Sequence, residues 1–118
     1  MSSWAVAMDL PEKNVALSHL YNCIYNMNVD FLSFGGVNAF ASKSPTVNAE
    51  QLASYTTPTL FVTGDADIVI PKQAVEAAHA EVGHSELINL GDVGHSSYFE
   101  RAELFNRVVG DFLNERAQ

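Results

Sequence analysis

The sequence predicts an α/β fold built on a strand–helix–strand unit with parallel strands and closed by a C-terminal amphipathic helix. Thr59–Thr63 is short, β-prone and apolar at its centre, which is the pattern of a strand covered on both faces. Pro71 suits the start of a helix that extends to about Val82, and a second strand is predicted over Glu86–Leu90. Apolar residues at helical spacing over about Ala102–Glu115 predict the last helix. A strand, a helix and a second strand in this order form a right-handed crossover, so the two strands are expected to be parallel neighbours.

The part of the chain before the first strand is predicted to be helical. Pro11 is compatible with the first turn of a helix, and apolar residues recur at helical spacing from Val15 to Met27. Asn48 is a favourable N-cap for a short helix over Ala49–Ser54. We therefore divide the chain into a helical segment and a βαβα part, at residues 1–57 and 58–118.

Composition and charge indicate a soluble globular protein and exclude several classes of partner. Apolar residues make up 47% of the chain and charged residues 17%, as in a folded domain. The formal net charge is −8 and only six residues are Lys or Arg, so neither nucleic acid nor an anionic membrane is an expected partner. Cys23 is the single cysteine and is predicted to be a small buried residue, so no disulfide forms within the chain. No signal peptide or membrane span is visible, and we expect a cytoplasmic protein.

Two loops carry the residues that could take part in catalysis. The loop Gly64–Pro71 follows the first strand and contains two aspartates, while the loop that begins at Gly91 ends in His95. The carboxyl ends of parallel neighbours meet at one edge of a sheet, so we expect a carboxylate to reach the Nδ1 atom of His95. A carboxylate in this position orients an imidazole, which then acts as a general base. The spacing to Pro71 favours Asp67 as the acid, with Asp65 as the alternative. The non-catalytic interpretations are a turn-forming Asp67 and an exposed loop histidine.

These motifs and their order resemble the C-terminal part of the α/β-hydrolase fold. The matching run begins at Asn48, passes through Gly64-x-x-Asp67-x-x-x-Pro71, and continues to Gly94-His95 and the closing helix. The resemblance implies that Asp67 and His95 are the acid and the histidine of a Ser–Asp–His type triad. It also implies that the helical segment before Asn48 belongs to the cap over the substrate pocket. The substrates implied are small molecules with an ester, amide or related bond. No metal site or cofactor is predicted, because no His, Asp or Glu residues have metal-ligand spacing.

The nucleophile of such a triad is missing from the sequence. The family carries it on a G-x-S-x-G turn, and no such motif occurs in the 118 residues. Phe31–Gly36 has a superficial likeness to that turn, but Phe31 stands where close packing requires a small residue, so Ser33 is predicted to be a cap-region loop residue. Ser96 and Ser97 are too close to His95 in sequence to receive its Nε2 atom. The resemblance therefore implies a nucleophile on a missing or separate N-terminal half, and we expect the isolated chain to be inactive.

Two hypotheses of different kinds remain open. In the first, the chain is the C-terminal portion of an α/β-hydrolase, as a fragment or as one subunit of a split enzyme. In the second, it is a non-catalytic binding or assembly module that kept the scaffold. Both predict association, because a sheet of two strands leaves open edges and uncovered apolar faces. The expected partner is a second copy of the chain or a polypeptide that carries the N-terminal half.

Overall fold

The fold consists of six helices and two strands in the residues that the structure describes. The computed structural model describes residues 4–27 and 47–116 of the chain. The residues that form the elbow-like sequence around Ser33 lie outside these ranges. The elements are α1 (Leu10–Lys13), α2 (Val15–Asn26), α3 (Ala49–Ala53), β1 (Thr59–Thr63), α4 (Lys72–Glu81), β2 (Ser85–Asn89), α5 (Ser97–Glu100) and α6 (Ala102–Arg116).

The two strands form the predicted parallel pair, with α4 as the connection between them. Thr59 lies opposite Ser85 and Thr63 lies opposite Asn89, and α4 contacts both strands. The second strand begins and ends one residue earlier than predicted: Ser85 is already paired, and Leu90 lies beyond the last paired residue, although its N–H still donates to the carbonyl of Thr63 at 2.9 Å. Within the described residues, the side chains at the centre of β1 are half-buried rather than covered on both faces. The parallel pairing brings both carboxyl ends to the same edge of the sheet.

The first helical segment is divided at Asn14, which the apolar spacing alone did not predict. Asn14 has an extended backbone (φ −151°, ψ 88°), and its Oδ1 atom accepts a hydrogen bond of 3.0 Å from the N–H of Leu17. An asparagine side chain competes in this way with the continuing helix and caps the next one. The apolar residues of α2 are largely exposed, including Val15 and Ile24. The prediction that Cys23 is buried is wrong, because Cys23 lies on this exposed side of the helix.

The short helix α3 begins as predicted. Asn48 accepts a hydrogen bond of 2.9 Å from the backbone N–H of Gln51, and the Gln51 side chain accepts one of 3.0 Å from the N–H of Asn48. This reciprocal capping box satisfies two N–H groups that a helix start otherwise leaves unpaired.

The most deeply buried residues cluster at the carboxyl edge of the sheet. Leu90 and Val93 follow β2 and are 3% and 1% exposed, and from the N-terminal segment Val6, Ala7 and Leu10 are also buried. The backbone at residues 6 and 7 packs directly against the loop after β2, so the core lies between that loop and the N-terminal segment. No helix in the described ranges is both long and apolar enough to span a membrane.

Candidate active site

The loop after β1 holds Asp67 in one orientation. Its Oδ1 atom accepts hydrogen bonds from the backbone N–H groups of Val69 (2.8 Å) and Ile70 (2.9 Å), immediately before α4 begins. An aspartate that bonds the backbone two and three residues ahead forms a local turn, here in the loop before the helix. The Asp67 side chain is only 8% exposed. These two bonds occupy one carboxylate oxygen and leave Oδ2 for a partner from another loop.

The loop after β2 turns sharply at Gly91 and then presents His95. Gly91 has φ +79°, a conformation that glycine adopts without steric cost. The Oδ1 atom of Asn89 accepts a hydrogen bond of 2.8 Å from the N–H of Gly91, which stabilises the turn. The loop then passes through the buried residues Val93 and Gly94 before His95 emerges at the surface.

Asp67 and His95 are in direct contact, as the sequence predicts. The Nδ1 atom of His95 lies 2.9 Å from Oδ2 of Asp67. The His95 side chain is 40% exposed, and its Nε2 atom has no hydrogen-bond partner among the described residues. A deprotonated carboxylate only accepts hydrogen bonds, so Nδ1 carries the proton and neutral His95 keeps its lone pair on Nε2. This arrangement presents a base to solvent with a carboxylate behind it.

Asp65, the alternative acid, has different partners. Its Oδ1 atom accepts hydrogen bonds from Nζ of Lys72 (3.1 Å) and from Nδ2 of Asn89 (2.7 Å). The backbone N–H of Asp65 also donates to the carbonyl of Gly91 at 2.8 Å. Asp65 therefore links the two loops but does not contact the imidazole.

The pKa values of both aspartates lie below the usual range, for different reasons. Burial raises the pKa of Asp67, but the N–H of Ile70, the His95 side chain and the N–H of Val69 together outweigh it and lower the pKa. For Asp65, the hydrogen bonds from Asn89 and Lys72 lower the pKa. Because both carboxyls favour the ionised form, Asp67 stays available as an acceptor for Nδ1 down to acidic pH.

Two glycines allow the loops to approach this closely. A Cβ atom on Gly64 would lie 2.2 Å from the carbonyl oxygen of Val93, so only glycine fits between the two loops. The N–H of Ala66 donates to that same carbonyl at 3.1 Å. A Cβ atom on Gly94 would lie 2.4 Å from the backbone nitrogen of Ala7. Gly64 thus permits the short distance between the loop after β1, which carries Asp67 (the acid loop), and the loop after β2, which carries His95 (the histidine loop). Gly94 allows the histidine loop to pack against the N-terminal segment.

Several residues around His95 were not predicted. The helix α5 after the histidine loop ends at Glu100, whose Oε1 atom accepts hydrogen bonds from the N–H groups of Gly94 (2.9 Å) and Ala7 (3.1 Å). The Tyr21 hydroxyl lies 3.2 Å from Oγ of Ser96, and its ring packs edge-on against Phe99. The N-cap of α5 is Ser96, whose side chain makes no capping hydrogen bond, so a capping-box pattern could not have located this helix.

The surface cavity and the titratable side chains outside the two loops do not form a second candidate active site in the described residues. A surface cavity of about 470 Å³ lies between α2, α5 and the start of α6, and its lining includes neither Asp67 nor His95. In the ranges 4–27 and 47–116, no cluster of three or more His, Cys, Asp or Glu side chains is arranged to hold a metal ion.

Comparisons with known proteins give similarities of sequence and of fold. The sequence model of the TAP-like protein family matches residues 37–117. An uncharacterised hydrolase of Bacillus subtilis (strain 168), YugF, is 34% identical over 64 residues, which are 54% of this chain and 23% of that protein. The 2-hydroxy-6-oxononadienedioate/2-hydroxy-6-oxononatrienedioate hydrolase 2 of Pseudomonas putida is 40% identical over 63 residues, 53% of this chain and 22% of that protein.

The fold is shared with solved structures at low sequence identity. An esterase from Exiguobacterium antarcticum, EaEST, superposes with a TM-score of 0.69 at 22% identity, and the match covers 94% of this chain and 39% of the esterase. The chain therefore corresponds to less than half of the esterase, and to less than a quarter of each of the two curated relatives.

Proposed function

The chain belongs to the TAP-like protein family and has part of the α/β-hydrolase fold, and from this premise we propose that Asp67 and His95 are the acid and the base of a hydrolytic site. The observation that supports the proposal most directly is the 2.9 Å contact between His95 Nδ1 and Asp67 Oδ2. Asp67 keeps Nδ1 protonated and stabilises the imidazolium that forms when Nε2 takes a proton. The substrates proposed are small molecules with an ester, amide or related bond.

The proposed mechanism uses His95 twice. The Nε2 atom first takes the proton of a hydroxyl nucleophile while the nucleophile's oxygen attacks the carbonyl carbon of the substrate. The same proton then passes from Nε2 to the leaving group as the bond to it breaks, which leaves an acyl-enzyme. Water then completes the reaction: Nε2 takes a proton from water while its oxygen attacks the acyl carbon. The bond from that carbon to the nucleophile's oxygen breaks, Nε2 returns the proton to this oxygen, and the acid product leaves.

The nucleophile in this proposal lies outside the 118 residues. The sequence contains no G-x-S-x-G motif, and the chain matches only 39% of the length of the esterase. The residues that complete the site belong either to a further part of the same protein or to a second polypeptide. The half-exposed side chains of β1 and the exposed residues Ile68, Val69 and Ile70 beside Asp67 favour burial against such a part.

A chimera with the esterase tests the proposal. The segment of EaEST that matches this chain is replaced by the chain's own residues, and hydrolysis of p-nitrophenyl acetate is measured. We expect activity that falls by about 10³-fold or more for Asp67→Asn and for His95→Ala. The Asp65→Asn variant is the matched control, because Asp65 contacts Lys72 and Asn89 instead of His95. A chimera with native near-UV circular dichroism that is inactive, or that is equally active without His95, contradicts the proposal.

A second measurement uses the unmodified 118-residue chain. The Nδ1 proton of His95, observed by NMR after ¹⁵N labelling of histidine, reports the hydrogen bond to Asp67. We expect Asp67→Asn to move this resonance and Asp65→Asn to leave it in place. If neither variant moves it, the acid assigned to His95 is wrong, whether or not the chimera folds.

A further inference from the structure

Glu100 connects the histidine loop to the N-terminal segment through a single oxygen atom. Its Oε1 accepts a hydrogen bond of 2.9 Å from the N–H of Gly94 and one of 3.1 Å from the N–H of Ala7. Glu100 is the last residue of α5 and is half-buried. In the described part of the chain, neither N–H has another acceptor. One carboxylate thus satisfies two backbone donors that are 87 positions apart in the sequence.

The residues on either side of His95 are both anchored to the N-terminal segment. Gly94 contacts the backbone of Val6 and Ala7 so closely that a Cβ atom would lie within 2.5 Å of both residues. On the other side, the N–H of Ser96 donates to the carbonyl of Ala5. His95 lies between these two anchors, and its ring is exposed while its neighbours are buried. The position of the imidazole therefore depends on a loop backbone that Glu100 holds at one end.

Burial gives Glu100 a pKa above its ordinary value, although both of its backbone donors act against this shift. Nearby Asp9 raises the pKa further, while Lys13 lowers it. Among the described residues, Glu100 forms no ion pair with a Lys, Arg or His side chain. Its two backbone donors are therefore the hydrogen bonds that compensate for part of the cost of its burial.

We propose that Glu100 is a positioning residue for His95. By accepting from Gly94 it fixes the backbone of the histidine loop, and by accepting from Ala7 it seats that loop on the N-terminal segment. The His95 Nδ1 atom is thereby held at 2.9 Å from Asp67 Oδ2. The acid loop is bound to the same backbone by the hydrogen bond from the N–H of Ala66 to the carbonyl of Val93. The inference rests on the proposed role of His95 as the base.

Three variants of the 118-residue chain test this role. Glu100→Ala removes the acceptor, Glu100→Gln keeps an oxygen of the same reach, and Glu103→Ala removes an exposed carboxylate on the next helix with no hydrogen-bond partner in the described ranges. Amide exchange at Gly94 and Ala7 and the Nδ1 resonance of His95 are measured by NMR. We expect Glu100→Ala to accelerate exchange at both amides by about tenfold or more and to move the His95 resonance. Glu100→Gln should restore both values, and Glu103→Ala should leave them unchanged.

A purely structural role for Glu100 would lower stability without changing the His95 resonance under native conditions. That outcome overturns the proposal, and so does a Glu100→Gln variant that behaves like Glu100→Ala. If Glu100→Ala does not fold, a pH titration of the wild-type chain followed by NMR tests the inference instead. The amide protons of Gly94 and Ala7 must then titrate with the same midpoint as the side-chain carboxyl carbon of Glu100, and independent titration overturns the inference.

The esterase chimera separates this inference from the proposed function. An active chimera whose activity and His95 resonance are both unaffected by Glu100→Ala contradicts the positioning role alone. An inactive, folded chimera in which Glu100→Ala still moves the His95 resonance contradicts the proposed function and leaves the positioning role in place.

Discussion

Replacing Gly64 by alanine is the sharpest perturbation of the site that avoids both Asp67 and His95. The new Cβ atom would lie 2.2 Å from the Val93 carbonyl oxygen and 2.6 Å from the Val93 Cγ2 atom. Ordinary contact distances begin near 3.5 Å, so the two loops must separate by about 1 Å or more. The contacting oxygen belongs to the backbone, which cannot rotate away as the end of a flexible side chain would. The substitution therefore acts on the distance between the acid and histidine loops.

A separation of this size breaks two hydrogen bonds. The bond from Ala66 N–H to Val93 (3.1 Å) and the contact from His95 to Asp67 (2.9 Å) would both lengthen beyond hydrogen-bond range. Overpacking of a close contact and the loss of these bonds correspond to about 2–4 kcal/mol of the free energy of unfolding. In an active esterase chimera, a displacement of about 1 Å should lower kcat by about 100-fold.

Urea unfolding followed by circular dichroism measures the stability change, and the Nδ1 resonance of His95 reports the contact. Gly83→Ala and Gly110→Ala are the controls, because a Cβ atom at either position meets nothing within 4 Å. Gly110 lies inside α6, so Gly110→Ala should stabilise the chain by about 0.5–1 kcal/mol. A Gly64→Ala variant within about 0.5 kcal/mol of wild type, with an unchanged His95 resonance, would refute the reasoning.

Three further predictions follow from single contacts. The pKa of Asp67 is lowered in the folded state, so the stability that its ionised form adds is complete above the ordinary aspartate pKa of about 3.9 and is lost as pH falls through the lowered pKa. The difference in urea midpoint between wild type and Asp67→Asn should therefore shrink as pH falls through this window. A difference that stays constant with pH would contradict the prediction. Asn48→Ala removes one half of the capping box and should lower the free energy of unfolding by about 0.5–2 kcal/mol, whereas an unchanged thermal midpoint would show that α3 does not depend on its cap. The pure 118-residue chain should not turn over p-nitrophenyl acetate, since no activated nucleophile is present; turnover that Ser33→Ala abolishes would move the nucleophile into this sequence.

The elements that the sequence predicted depend on neighbouring residues. Asn48 caps α3 and Pro71 precedes α4 because each acts on the backbone within one helical turn. The apolar run of β1 predicted the strand within its observed limits, and the parallel pairing followed from the order of strand, helix and strand. The contact between Asp67 and His95 was predictable for the same reason, because parallel neighbours bring their carboxyl ends to one edge.

The spacing to Pro71 favoured Asp67 over Asp65, but only the tertiary structure shows why Asp65 does not meet the imidazole. Asp65 and Asp67 have the same chemistry, but Asn89 and Lys72 occupy the carboxylate of Asp65, and Asn89 comes from the other strand. The exposure of Cys23 was mispredicted because an apolar stripe specifies a buried face without specifying what covers it. The helix interruption at Asn14 likewise required knowledge of where its side chain bonds.

By itself, the sequence determined the local elements, their order and the pair of loops that carry the acid and the base. The tertiary structure confirmed Asp67 over Asp65 as the carboxylate that contacts the imidazole. It also brought Ala7 and Glu100, which are 93 positions apart in the sequence, together to hold the histidine loop. Periodicity and capping are read within a few residues, whereas a buried carboxylate finds its backbone donors only when distant segments pack together. The residues that support His95 therefore leave no periodic signal in the sequence, and their role becomes visible only in the folded chain.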